Sequence, residues 1–221
     1  MSTNTKTKIY FIPGMGAGSN SFENIRLPED KYEVEIIEWQ IPEKEEPLHH
    51  YAQRMAAKIK AENSVLVGVS FGGVVAQEME QFLNLKKLVI ISSIKKRSEL
   101  PSIMRWAKKF KLYKALPVET VLSTDDLTKF AIGQKSLKRL ELYQEYLRVR
   151  NSDYLKWAIK EMVSWDREEP MPGIVHIHGD QDHVFPIKYI DDCIVVNKGT
   201  HAMLLTKGRT ISRLLIKAIE T

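Results

Sequence analysis

The stretch Ser64–Gly73, SVLVGVSFGG, constrains the fold more than any other part of the chain. Ser64–Val69 is a short apolar run of the kind that forms a strand buried on both faces. Phe71–Leu85 follows at once with helical character, so the chain must pass from strand to helix through Ser70. Such a turn is strained. The glycines at 68, 72 and 73 relieve crowding that side chains would cause there. The turn holds the Ser70 hydroxyl clear of the sheet, at the positive end of the following helix. A plain glycine-rich turn, of use to a phosphate, is the alternative. Neither G-x-G-x-x-G nor a P-loop lysine accompanies it.

The surrounding pattern alternates. Lys8–Pro13 reads as a buried strand ended by Pro13 and Gly14, and Tyr32–Trp39 as a strand nearer a sheet edge. Leu48–Glu62 repeats apolar residues at helical spacing, and Lys87–Ser92 is a further strand. Strand, helix and strand joined by short connections predict a parallel sheet covered by helices on both faces. From Lys95 the strand signals stop. Ser102–Leu116, Val118–Phe130, Ser136–Arg150 and Asp153–Trp165 read as helices, with Asp153 able to cap the last. Gly173–His178 and Cys193–Val196 resume as strands, and Met203–Ile219 is a terminal helix. The expected architecture is an α/β core of residues 1–94 and 170–221, its sheet mostly parallel, with an all-helical cap inserted at 95–169.

The 221 residues fit one such domain, and 43% hydrophobic with 28% charged residues is ordinary for a globular chain. Cys193 is the only cysteine, which excludes an internal disulfide and fits a reducing cytoplasm. The N-terminus lacks the apolar stretch of a secretory signal, and no run is long enough for stable membrane insertion. Between Lys95 and Lys160 there are 16 Lys and Arg against 7 Asp and Glu. Solvated helix faces account for that excess, although it would also attract an acyl group on an anionic carrier. No nucleic-acid module is recognisable, and nothing bears on oligomeric state.

Ser70, within Gly68-Val69-Ser70-Phe71-Gly72, is thus a candidate nucleophile. A serine hydroxyl needs a base to take its proton and a third group to orient that base. His201, in Lys198-Gly199-Thr200-His201 after the last strand, is the candidate base. Asp182 and Asp180 compete for the acid in His178-Gly179-Asp180-Gln181-Asp182-His183. Asp182 lies farther along the loop and can reach His201, whereas Asp180 suits hydrogen bonds within the turn. The amides of Met15, in the loop Pro13-Gly14-Met15-Gly16-Ala17-Gly18, and of Phe71 are candidate donors to a developing oxyanion. A purely structural glycine-rich loop is the alternative for the first.

Together these motifs resemble the α/β-hydrolase superfamily over nearly the whole chain. GVSFGG is similar to its nucleophile elbow, HGDQD to its acid loop, GTH to its histidine loop and PGMG to its oxyanion loop. The resemblance implies a Ser70–His201–Asp182 triad, oxyanion donors Met15 and Phe71, no cofactor, and a small acyl ester or thioester as substrate. Relatives that open epoxides carry aspartate where Ser70 stands. Two departures are Pro13-Gly14, where many members have His-Gly, and a single strand before Gly14 in place of a leading antiparallel hairpin. The aromatic residues Trp106, Phe110, Tyr113, Phe130, Tyr143, Tyr146, Trp157 and Trp165 would form the interior of the cap.

Two rival readings stand beside this one. His176, His178, Asp180, Asp182 and His183 form a dense cluster that resembles the H-x-H-x-D-H run of metal-dependent hydrolases, but Gln181 falls where a histidine is required. Some members of the superfamily are ligand sensors, so the pocket could serve binding alone.

Overall fold

The computed structural model describes residues 6–111, 149 and 151–221. Six strands form one sheet: β1 Thr7–Ile12, β2 Tyr32–Ile36, β3 Ser64–Val69, β4 Leu85–Ile91, β5 Val175–Gly179 and β6 Ile194–Val196. Their order is β2-β1-β3-β4-β5-β6, and every pairing is parallel. The described helices are α1 Leu48–Ala56, α2 Phe71–Met79, α3 Ser102–Lys109, α4 Ser152–Ser164 and α5 Met203–Glu220.

The topology follows from the handedness of crossovers. The chain runs outward from β1 to β2, then reverses past β1 to β3 and continues to β6. From β2 onward each crossover steps in one direction, so α1, α2 and α4 cover the same face. There Tyr51, Met55, Val74, Val75, Tyr154 and Trp157 pack on Tyr10, Ile12 and Leu66. The β1–β2 connection steps the opposite way. Its Phe22 lies on the other face, with Ile211 and Leu215 of α5, against Ile9, Phe11, Val65, Val67 and Val89. The reversal sends the connections that leave β1 and β3 to opposite faces of the sheet at its carboxyl end, where open α/β sheets place ligand sites.

Several boundaries are shorter than the sequence pattern predicts. β2 stops at Ile36, and α1 at Ala56, not Glu62. The helix expected to reach Leu85 gives way after Met79 to a 3₁₀ turn, and an extended Leu83 feeds Leu85 into β4. α3 ends at Lys109, because Phe110 leaves helical geometry and Lys111 has φ 54°. Asn151, not Asp153, caps α4, its side chain accepting from the Tyr154 amide at 2.9 Å. Trp157 and Trp165 are buried, but against the core and not one another: Trp157 packs on Tyr51 of α1 and Phe71 of α2, and Trp165 Nε1 donates to Glu78 of α2. Trp106 and Phe110 instead stack on each other at 5.4 Å and are 57% and 54% exposed. The expected helix Val118–Phe130, the helix at 136–150 except Val149, and Tyr113, Phe130, Tyr143 and Tyr146 lie outside the described residues. Among the described residues no helix is long and apolar enough to cross a membrane.

Candidate active site

β3 ends in the strand-to-helix turn, and Ser70 sits there with φ 52° and ψ −122°. That region is unfavourable for a residue with a Cβ, and close backbone packing holds it. A Cβ on Gly68 would lie 2.4 Å from the Gly72 carbonyl oxygen, and one on Gly72 would lie 2.3 Å from that of Pro13. The Ser70 amide donates to Ile91 O at 2.9 Å, and Ser93 Oγ donates to Ser70 O at 2.7 Å. Both anchors come from the end of β4 and the residues just beyond it.

His201 reaches Ser70 from the loop after β6. Its Nε2 stands 2.9 Å from Ser70 Oγ, and its Nδ1 2.9 Å from Asp182 Oδ2. Because a carboxylate only accepts, Nδ1 carries the proton, and Nε2 accepts from the Ser70 hydroxyl. Phe185 meets the imidazole edge-on at 5.4 Å between centroids. The loops after β5 and β6 are themselves in backbone contact: a Cβ on Gly179 would lie 2.2 Å from Gly199 O.

The Asp182 side chain is fully buried. Its second oxygen, Oδ1, accepts from the amides of Val184 and Phe185, both at 2.8 Å. Burial alone would raise its pKa. The field and hydrogen bond of His201, with the backbone donors, outweigh that and hold the carboxyl below its ordinary value of 3.8. Asp180 is exposed at the end of β5. Of the two carboxylates, Asp182 is the one brought to His201.

His176 and His178 are buried side by side behind this loop. His178 Nε2 donates to Phe185 O at 2.8 Å, so its Nδ1 accepts from His176 Nε2 at 3.1 Å. Burial lowers the pKa of both rings, His176 most strongly, so they are a neutral pair. His178 Nε2 lies 3.6 Å from Asp182 Oδ2, beyond hydrogen-bond range. His176, His178 and Asp182 of the suggested metal cluster therefore have other partners, and among the described residues no three His, Cys, Asp or Glu groups are arranged to hold an ion.

The Gly14 loop lies against the turn: a Cβ on Gly14 would be 3.6 Å from Ser70 Cβ. Met15 and Phe71 thus belong to two segments that meet beside the serine. Ser93 is a supporting residue of the site that the sequence pattern does not single out. The signal for Ser93 is a polar pair, Ser92-Ser93, directly after the buried strand next to β3. His178, which the sequence presents as a rival metal ligand, instead supports the acid loop through its bond to the Phe185 carbonyl.

Solved structures superpose on almost the whole chain. They include an esterase from Exiguobacterium antarcticum, at 16% identity and TM-score 0.70, covering 99% of this chain and 93% of that one. A bromoperoxidase from Bacillus anthracis matches with the same identity, coverage and TM-score. An epoxide hydrolase from Bacillus megaterium matches at 10% identity and TM-score 0.67, covering 100% of this chain and 96% of that one. The chain has the α/β-hydrolase fold. No protein-family profile and no curated protein matches its sequence. Within this fold Ser70 lies in the turn after β3, and Asp182 and His201 lie in the loops after β5 and β6.

Proposed function

We propose that this chain is a serine hydrolase that cleaves a small acyl ester or thioester through an acyl-enzyme. The supporting observation is the continuous relay from Ser70 Oγ through His201 to the buried Asp182, with both links at 2.9 Å. Ser70 Oγ attacks the carbonyl carbon while His201 Nε2 takes the hydroxyl proton. Asp182 stabilises the imidazolium. The Met15 and Phe71 amides receive the tetrahedral oxyanion. As the intermediate collapses, the bond to the leaving alcohol or thiol breaks and His201 returns the proton to it. Water then attacks the acyl-enzyme with His201 again as base, releasing the acid and restoring Ser70.

The structural neighbours include proteins named for ester, epoxide and halogen chemistry, so the fold does not choose the reaction. A serine nucleophile narrows the choice toward acyl substrates, since its hydroxyl forms an acyl ester with them, and disfavours epoxide opening, for which relatives carry aspartate at this position. The test is a fluorophosphonate probe. Ser70 Oγ bonds to phosphorus, the P–F bond breaks, fluoride departs, and the serine proton passes to His201. Mass spectrometry should find the adduct on Ser70 alone, and the Ser70→Ala variant should remain unlabelled. A folded protein that is not labelled would overturn the proposal and favour a ligand-binding role.

A further inference from the structure

Trp39 follows edge strand β2 and is held in place by aromatic rings. Its ring stacks on Phe71 at 5.7 Å with 23° between planes, and lies 5.5 Å from Tyr154 and 6.4 Å from Tyr51. Tyr51 also fixes the adjoining backbone. Its hydroxyl accepts from Gln40 N at 3.1 Å and donates to Gln40 O at 2.9 Å. The indole has little freedom, and its N–H points at one atom. Trp39 Nε1 donates to Gly14 O at 2.9 Å.

That carbonyl belongs to the same peptide unit as the Met15 amide. A trans peptide is planar, so its C=O and N–H point in opposite directions. Whatever fixes the Gly14 carbonyl therefore fixes the Met15 N–H. Two donors do so, since Ala17 N also reaches Gly14 O at 3.0 Å. Donation to a carbonyl polarises the whole amide, which strengthens its N–H as a donor. The Ala17 bond is local to the loop. The Trp39 bond ties the loop to the core and, through the stack on Phe71, to the residue that carries the second proposed donor.

We infer that Trp39 is a positioning residue of the reaction, holding the Met15 N–H toward the oxyanion through its bond to the Gly14 carbonyl. The inference rests on the serine hydrolase reading above. It assigns the indole a role in rate and none in substrate contact.

The test measures phosphonylation of Ser70 by a fluorophosphonate, whose phosphoryl oxygen requires the same donors as an acyl oxyanion. Two replacements are compared with the parent: Trp39→Phe, and β-(3-benzothienyl)alanine at position 39, which keeps the bicyclic shape and replaces N–H by sulfur. Both should lower the maximal inactivation rate by about tenfold to a hundredfold, short of the ~10²–10³ cost of removing a donor outright. The probe concentration for half-maximal rate should not change, and the benzothienyl protein should melt with the parent. If the benzothienyl protein reacts at the parental rate, Trp39 acts only through packing and the inference falls while the triad reading stands. If the folded parent is not labelled at Ser70, the triad reading falls and the inference falls with it.

Discussion

The two halves of the candidate site are built in different ways. The elbow is local: strand, strained serine and helix lie within one run of ten residues, and its geometry is enforced by backbone atoms too close to admit a Cβ. The candidate acid and base, Asp182 and His201, are 19 residues apart on separate loops. They meet only because β5 and β6 pair side by side and Gly179 packs on Gly199. Sterics therefore holds Ser70, while hydrogen bonds orient His201 and Asp182. A steric constraint fails abruptly, and a hydrogen-bonded one can be dismantled one link at a time.

Substitutions can break or sharpen that contrast. The largest expected effect falls on the acid. Asp182→Asn should lower ester turnover by about 10⁴, since an amide cannot hold the imidazole in the required tautomer and charge state. Asp180→Asn should cost far less. Steady-state kinetics on p-nitrophenyl acetate would check both, and the reverse order would show the acid wrongly assigned.

On the elbow side, Gly72→Ala should destabilise the fold by about 3 kcal/mol, because the clash at 2.3 Å is with the Pro13 carbonyl and not with a flexible side chain. Urea unfolding would measure it, and a loss below about 1 kcal/mol would mean that the turn yields more easily than the contacts imply. On the acid side, His178→Phe should destabilise by about 1–3 kcal/mol, since the Phe185 carbonyl loses its buried donor. The orientation of Asp182 depends on the same loop, so turnover should fall with it. A variant of normal stability and activity would remove His178 from the support of the acid.

The smallest effect is in acid stability. Because the folded Asp182 carboxyl lies below 3.8, its contribution is present above that value and is lost as pH falls through the folded pKa. Asp182→Asn should therefore flatten the acid limb of the stability curve. An unchanged limb would mean that other carboxylates dominate acid unfolding.

The same contrast explains what could be read in advance. The elbow was legible because its cause is contiguous: an apolar strand, flanking glycines and an immediate helix. Parallel pairing follows from the alternation of strands and helices, and crossover handedness then assigns the helices to faces, whereas the strand order itself has no local signal. Asp182 was preferred over Asp180 on loop position alone; the Val184 and Phe185 amides that hold it form an Asx-type turn, for which a sequence offers only a weak signal. Helix ends depart from the periodic pattern where local geometry overrides it, as at Leu83 and Lys111. Asn151 and Asp153 are both good caps by type, and only the observed bond separates them. A tryptophan whose indole meets a carbonyl 25 residues earlier leaves no periodic trace at all.

The shortness of β6 has a consequence of its own. Only three residues long, it forms the outer border of the sheet, with Ile194 and Val195 38% and 55% exposed. Border strands of this kind open before the interior does, and here the border carries the loop that delivers His201. On gentle warming the proton acceptor should therefore drift from a serine still gripped by the rigid interior. Reaction of Ser70 with a fluorophosphonate should then fall at temperatures where circular dichroism still reports an intact sheet, and should recover on cooling.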